Sequence, residues 1–327
     1  MSDRDTLDLL AAIPLFADCG PAELEEIART MRRRSVRAGD TLWAQGDPSR
    51  EMAFVLDGVL AARLRVAGGR EVEIGRARPG GMVGEIALID GGLHTMGVHV
   101  AESASLLMLG RHDFTALIAR QHPSAFAIKR RLAALFTSRL RNQLSHLARS
   151  LDDGDAGPEA PPAPGHPRAE LEECPPPDSR YLRRLATFNE FDRLATWGFL
   201  TAGRYACCPP GRTLVAEGER SDACYLTING AVEKVVARGD RRLRVGLAGP
   251  GKAFGYESLI DGGPSPVTAI SRERVLLLVL PREPFEKLFR AEDAVSRVVL
   301  DVILRDLVAT LRQTLAPLAR RVHSHPV

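Results

Sequence analysis

The chain repeats itself once, over almost its whole length. GDTLWAQGD, from Gly39 to Asp47, returns as GRTLVAEGE from Gly211 to Glu219. AFVLDG, ending at Gly58, returns as YLTING ending at Gly230, and both matches keep a spacing of 172 residues. Further on, PGGMVGEIALIDGG (Pro79 to Gly92) returns as PGKAFGYESLIDGG (Pro250 to Gly263). LLMLGRHDF, ending at Phe114, returns as LLVLPREPF ending at Phe285, again at a common spacing, now 171. One residue is therefore gained or lost between the copies, in the loop near Gly68 and Arg238. Solenoid units run to about 20–50 residues. These copies are longer, so they are duplicated domains, and 327 residues suit two domains.

Each copy carries the same plan. A short helix comes first (Pro21 to Met31, with Leu24, Ile27 and Ala28 on one face). Short, partly alternating strands follow, punctuated at Gly39, Gly46, Gly58, Gly69 and Gly80. Closely spaced turns between short strands predict a compact all-β roll or barrel. A closing amphipathic helix carries Leu132, Leu135, Leu140, Leu144, Leu147 and Leu151 in copy one, and Val295, Val299, Val302, Leu307, Leu311 and Leu315 in copy two. Between the copies, Asp152 to Ser179 is dominated by Pro and poor in apolar residues. It reads as a semi-extended linker, with a Pro-rich ligand for a partner's groove as the alternative. The expected organisation is domain 1 over 1–151, linker over 152–179 and domain 2 over 180–327.

Charge and composition exclude more than they select. The net charge is +3, and forty of the 44 basic residues are Arg, scattered through strands, loops and helices alike. That scatter reads as codon bias rather than as a nucleic-acid surface. The five cysteines (Cys19, Cys174, Cys207, Cys208, Cys224) have no zinc-binding spacing and read as free thiols, with the neighbours Cys207 and Cys208 as a minor candidate redox pair. No apolar run approaches the roughly 20 residues that cross a bilayer, and the polar, acidic start MSDRDTLDLL is no secretory signal, so a cytoplasmic location is expected. No Ser/His/Asp, Cys/His or paired-carboxylate arrangement argues for catalysis. Asp90-Gly91-Gly92 and Asp261-Gly262-Gly263 read as turns rather than metal sites. Arg32-Arg33-Arg34-Ser35 reads as a solvated strand edge in preference to a kinase target.

GEIALIDGG, with the upstream Gly39 to Asp47 and the strand ending at Gly58, resembles the cyclic nucleotide-binding domain family. That family includes catabolite-activator-type regulators and protein kinase A regulatory subunits. The family cassette is roughly G-E-x-[AS]-L, a short loop, then P-R-x-A-T. The resemblance implies two tandem jelly-roll-type β-rolls with flanking helices. It further implies a short helix starting at the Gly-Glu pair, whose free N–H groups face a cyclic phosphate. The Glu would read the ribose 2′-OH and the Arg would neutralise the phosphate. Fewer than ten residues follow Leu318, too few for the winged-helix domain of a DNA-binding activator, so no DNA partner is expected.

Both copies depart from the pattern. In copy one Gly84, Glu85, Ala87 and Leu88 match, with Ile86 between them, but His94 stands at the Arg position, followed by Thr95. A protonated imidazole would recover part of the lost charge, which makes copy one a candidate weak or pH-sensitive site for cyclic AMP, cyclic GMP or a related phosphate compound, against the plainer reading of His94 as a solvated loop residue. In copy two Gly255, Ser258, Leu259 and Thr268 match, but Tyr256 replaces the Glu, Ser265 replaces the Arg, and Glu257 sits one place late. Losing one partner of a buried charge pair costs roughly 2–5 kcal/mol. Copy two is therefore expected not to bind cyclic AMP in the family manner. Tyr256 with Trp197 or Tyr225 is a further candidate for stacking on a purine. The expected protein is a non-catalytic regulator with a protein partner and self-association through its closing helices, or alternatively a dimeric scaffold that has lost its ligand.

Overall fold

The computed structural model describes residues 3–66, 69–119, 123–152, 166–183, 185–238 and 241–322. They fall into two compact units, Met1–Leu132 and Ala133–Ser324. No described helix is long and apolar enough to cross a membrane.

Unit 1 opens with α1 (Asp3–Ala11), a 3-10 turn at Pro14–Phe16 and α2 (Pro21–Thr30). Pro21 begins α2, where its missing N–H costs nothing. Glu23 closes the first turn by accepting from the Gly20 N–H at 2.6 Å, while Leu24 and Ile27 are buried. The helix stops at Thr30 because Met31 is already extended. The roll follows as β1 (Met31–Val36), β2 (Thr41–Trp43), β3 (Glu51–Arg65), β4 (Glu71–Ala77), β5 (Met82–Val83), α3 (Glu85–Asp90) and β6 (Gly97–Gly110). Then come α4 (Arg111–Ala119) and α5 (Pro123–Asp152).

All strands of unit 1 pair antiparallel, in the order β1-β6-β3-β4, with β2 on β6 and β5 on β3. Two long strands, β3 and β6, carry the roll by bending together. Their register shifts on either side of Asp57. Gly58 (φ +83°) lies within the bend, where a Cβ would stand 2.3 Å from the Ser103 carbonyl oxygen. Only glycine allows that approach. Leu42, Val55, Leu60, Val98, Leu106 and Met108 fill the interior.

Unit 2 takes residues 133–152 of α5 and continues with β7 (Glu172–Glu173), α6 (Ser179–Arg183), a 3-10 turn at Ala186–Phe188 and α7 (Arg193–Leu200). Its roll comprises β8 (Arg204–Cys208), β9 (Thr213–Val215), β10 (Ala223–Asn229), β11 (Val232–Arg238), β12 (Arg241–Ala248), β13 (Ala253–Phe254), α8 (Glu257–Asp261), β14 (Thr268–Ser271) and β15 (Val275–Pro281). The closing helices are α9 (Arg282–Arg290) and α10 (Ala294–Val322). Two antiparallel sheets result, β13-β10-β15-β8-β7 and β12-β11-β14-β9. Here β10 and β11 do separately what β3 does as one strand, as do β14 and β15 for β6.

The duplication read from the sequence is carried into the backbone. Gly46 N–H donates to the His94 carbonyl and His94 N–H to the Asp47 carbonyl, each at 2.9 Å. The second copy repeats this clamp as Gly218 to Ser265 at 2.9 Å and Ser265 to Glu219 at 2.7 Å. The Arg32–Ser35 stretch is an exposed part of β1, with Arg32 and Arg34 both paired to Glu51. Most of the expected helix stripes are buried. Leu132, Leu140, Leu144 and Leu147 lie inside, as do Val299, Val302, Leu307, Leu311 and Leu315, whereas Leu135 and Val295 are half-buried and the Leu151 side chain lies outside the described residues.

The Pro-rich segment is attached to the second roll over its described part. Residues 153–165 lie outside the described residues, but residues from His166 onward are fastened to the second roll. Thr213 N–H donates to the Pro167 carbonyl and Ala169 N–H to the Thr213 carbonyl, each at 2.9 Å. Glu172 and Glu173 then add β7 to the edge of β8. Cys174 and Cys207 are joined in a disulfide across that edge. The reading of all five cysteines as free thiols is thereby corrected, since only Cys19, Cys208 and Cys224 are free. Nor do Cys207 and Cys208 pair, because adjacent strand residues point to opposite faces. The backbone partners show why this polar stretch orders: it completes an existing sheet edge instead of building a core.

Closing a loop of 33 residues restricts the unfolded chain by about 3–4 kcal/mol in the entropic account. Dithiothreitol, or the Cys174→Ser variant, is therefore expected to lower the urea midpoint of unit 2. Thiol titration of the denatured, unreduced protein is expected to count three reactive thiols rather than five.

Candidate functional site

In both units the cassette begins where a glycine with positive φ turns the chain from a two-residue strand into a short helix. Gly84 (φ +87°) would place a Cβ 3.0 Å from the Trp43 ring and 3.1 Å from the Glu51 carbonyl oxygen. Gly255 (φ +78°) would place one 3.0 Å from the Ala223 carbonyl oxygen and 3.2 Å from Val215. A backbone carbonyl closes the same side in both copies, while the Trp43 ring of the first is replaced in the second by Val215 and by the Tyr225 ring at 3.1 Å.

In unit 1, Glu85 opens α3 and is buried at 3 % exposure, with Ile86 beside it at 9 %. The side chains of Ala87 and Leu88 lie outside the described residues. His94 is no solvated loop residue. It is 5 % exposed and lies flat against Trp43, with ring centroids 4.3 Å apart and planes 8° from parallel. Its backbone is held on both sides by the clamp to Gly46 and Asp47, and Thr95 after it is half-buried. The structure thus gathers the expected carboxylate, glycine and imidazole around one cassette, with the imidazole fixed by an indole that the sequence analysis did not single out.

Unit 2 uses the same positions differently. Tyr256 is fully buried and donates its hydroxyl to Asp306 Oδ2 of α10 at 2.5 Å. Lys234 of β11, 2 % exposed, donates to the same oxygen at 3.0 Å and to Thr310 Oγ1 at 3.0 Å. Burial raises the Tyr256 phenol well above its usual range, and the Asp306 charge adds to that shift. Glu257, 1 % exposed, faces the same region, and among the described residues its Oε2 has no hydrogen-bond partner, nor has Ser258 Oγ. Burial raises the Glu257 carboxyl above 4.5, against the opposing pull of the Lys234 charge.

The loop that ends the second cassette is hydrogen-bonded within the protein. Ser265 Oγ donates to the Val267 carbonyl at 2.8 Å, and Thr268 Oγ1 accepts from the Glu217 N–H at 3.1 Å. Tyr256 and its two candidate stacking companions, Trp197 and Tyr225, have other surroundings. Tyr225 stacks on Phe254 at 5.1 Å, Trp197 is half exposed on α7, and Tyr256 is committed to Asp306. Arg141, from the part of α5 that belongs to unit 2, holds both Asp261 oxygens at 2.8 and 2.9 Å at the end of α8. Lys234, Asp306, Thr310 and Arg141 escaped the sequence analysis. One signal was available: Asp306 and Thr310, four residues apart, interrupt the apolar stripe of α10, and a charge on a buried face implies a buried partner.

Comparison with known proteins agrees with this geometry. The model of the cyclic nucleotide-binding domain matches residues 33–121 and 207–292, more than half of the chain. The chain belongs to the cyclic nucleotide-binding domain family, in a tandem arrangement. A cyclic nucleotide-gated potassium channel of Mesorhizobium japonicum is 42 % identical over 109 residues, 33 % of this chain and 29 % of that protein. The cyclic AMP receptor protein of Thermus thermophilus is 32 % identical over 128 residues, 39 % of this chain and 57 % of that one. The acetyltransferase Pat of Mycolicibacterium smegmatis is 31 % identical over 129 residues, 36 % of this chain and 38 % of that enzyme. The chain thus spans well under two thirds of these curated relatives. Among solved structures, the regulatory domain of Toxoplasma gondii protein kinase A with cyclic AMP is 19 % identical. That match covers 91 % of this chain and 97 % of that one, at a TM-score of 0.36.

Two measurements test the electrostatics of unit 2. Asp306→Ala strands the Lys234 ammonium in the interior and is expected to cost about 3–5 kcal/mol in urea unfolding, whereas Lys234→Met with Asp306→Leu and Tyr256→Phe, which removes every member of the contact together, stays near wild type. For Glu257 the raised carboxyl means the folded state keeps its proton to higher pH than the unfolded chain does. Wild-type stability from this group therefore falls as pH rises through 4.5. Glu257→Gln is expected to match the wild type near pH 4 and to exceed it at pH 7.

Proposed function

We propose that this protein is a non-catalytic regulator in which the first roll senses a cyclic nucleotide and the second does not. The observation that carries this reading is the contrast between Glu85 and Tyr256. The two residues occupy the same place at the start of the cassette helix. Glu85 retains the carboxylate that suits a ribose hydroxyl, whereas Tyr256 is spent on Asp306. The similarity to a cyclic nucleotide-gated channel and to a cyclic AMP receptor protein supports cyclic AMP or cyclic GMP as the ligand class.

In the first roll the α3 N-terminus would face the cyclic phosphate, Glu85 would accept from the 2′-OH, and His94 would stand where the family has a guanidinium. The imidazole reaches less far than an Arg and is already stacked on Trp43. Binding is therefore weak, and stronger at pH 6 than at pH 8. The bound state would bias the packing of α5, and the output would pass to a protein partner, with self-association through the closing helices as one form of it.

Calorimetry of the full chain with cyclic AMP and cyclic GMP at pH 6 and 8 tests this. One saturable site is expected, abolished by Glu85→Ala. In His94→Arg the planar guanidinium keeps the stack on Trp43 and supplies the missing charge, so affinity at pH 8 is expected to rise on the order of 30-fold or more. Silence at both pH values, in the wild type and in His94→Arg, would overturn the sensor reading and leave a ligand-free interaction scaffold.

A further inference from the structure

We infer that the second roll is held closed by its own side chains, with Tyr256 and Lys234 clasping Asp306 so that α10 is docked on the roll without any ligand. This inference stands on unit 2 alone and does not depend on whether the first roll binds a nucleotide.

The clasp joins three parts of the unit. Lys234 comes from the strand β11, Tyr256 from the turn that starts the cassette helix, and Asp306 and Thr310 from α10. All four residues are buried, none more than 4 % exposed. Around them α10 packs on β12 and β13, with Val302, Ile303, Leu307 and Leu311 buried. Room for the lysine is built into the sheet. Gly246 lies directly across from Lys234, and a Cβ there would come within 3.1 Å of Lys234 Cε.

The clasp is particular to this copy. With the repeat spacing carried through the closing helices, the positions of Lys234, Tyr256, Asp306 and Thr310 correspond in the first copy to Ala62, Glu85, Leu135 and Arg139. Ala62 even faces Gly75 as Lys234 faces Gly246. All four positions therefore differ together, and they differ in the copy whose cassette has lost its Glu. A lone buried Lys or Asp would be strongly disfavoured, so no one of these charges is tolerable without the others. Lys234 and Tyr256 give Asp306 two donors on one oxygen, which attach α10 to the roll and to the cassette at the same time. The same unit also seats part of α5, through Arg141 on Asp261 and Gln143 on Thr314 Oγ1 at 2.7 Å. The closed roll is thus a fixed seat for that helix.

Hydrogen exchange of the full chain, read by mass spectrometry over 298–315, tests the clasp. In the wild type these amides are expected to exchange slowly, and saturating cyclic AMP is expected not to slow them further. Tyr256→Phe keeps the ring and removes one donor, and Asp306→Asn removes the shared charge. Both are expected to speed exchange in α10 by about tenfold or more while leaving β10 and β15 unchanged. Because the two act through one contact, the double variant is expected to exchange no faster than Asp306→Asn alone. Rapid exchange of α10 in the wild type, protection of α10 by cyclic AMP, unchanged exchange in Tyr256→Phe, or additive effects in the double variant would each overturn the proposal. Should Asp306→Asn fail to fold, Tyr256→Phe alone still decides.

Discussion

A carboxylate withdrawn from water must receive from the protein what the solvent gave it, and Asp306 is where this requirement shapes the second unit. Two donors from different parts of the roll meet one of its oxygens, and a threonine one helical turn along takes up the lysine again. The arrangement forces α10 to a single rotation about its axis, because any other would turn the charge into hydrocarbon. The apolar residues around it supply most of the burial free energy, but they would accept several rotations nearly equally well. Packing makes the helix adhere, and the ionic contact decides which way it faces.

Much of the fold was legible because the chain states it twice. A conformational requirement such as the turn before the cassette helix leaves the same residue in both copies, Gly84 and Gly255, and the two take the same positive φ. The Glu-to-Tyr exchange was equally plain, since a constant spacing fixes the register. What the exchange accomplishes was not legible. Lys234 and Asp306 stand 72 residues apart, and nothing local to either announces the other. The disulfide escaped for a related reason. Cys174 sits in a stretch whose composition argues for disorder, and composition carries no information about a sheet edge waiting some thirty residues further on. The surroundings of His94 were not legible either: the ring that holds it comes from β2, about fifty residues earlier.

The two copies illustrate how one architecture accommodates different side chains at the same positions. In the first roll the cassette starts with a buried carboxylate, and an imidazole stacked on an indole follows it. In the second the same place is filled by a phenol directed at the protein itself. The glycines, the paired carbonyl clamps and the order of strands stay the same, so the difference lies in a few side chains and not in the scaffold. Fold-level similarity accordingly says less about what each half does than the identity of the residue following Gly84 or Gly255.

The disulfide at the edge of β8 has a topological consequence as well as an energetic one. Together with the backbone it encloses α6, the 3-10 turn and α7 in a covalent ring running from Cys174 to Cys207. A peptide bond hydrolysed anywhere inside that ring would not divide the molecule. Both fragments would stay tethered through sulfur and part only in the presence of a reductant.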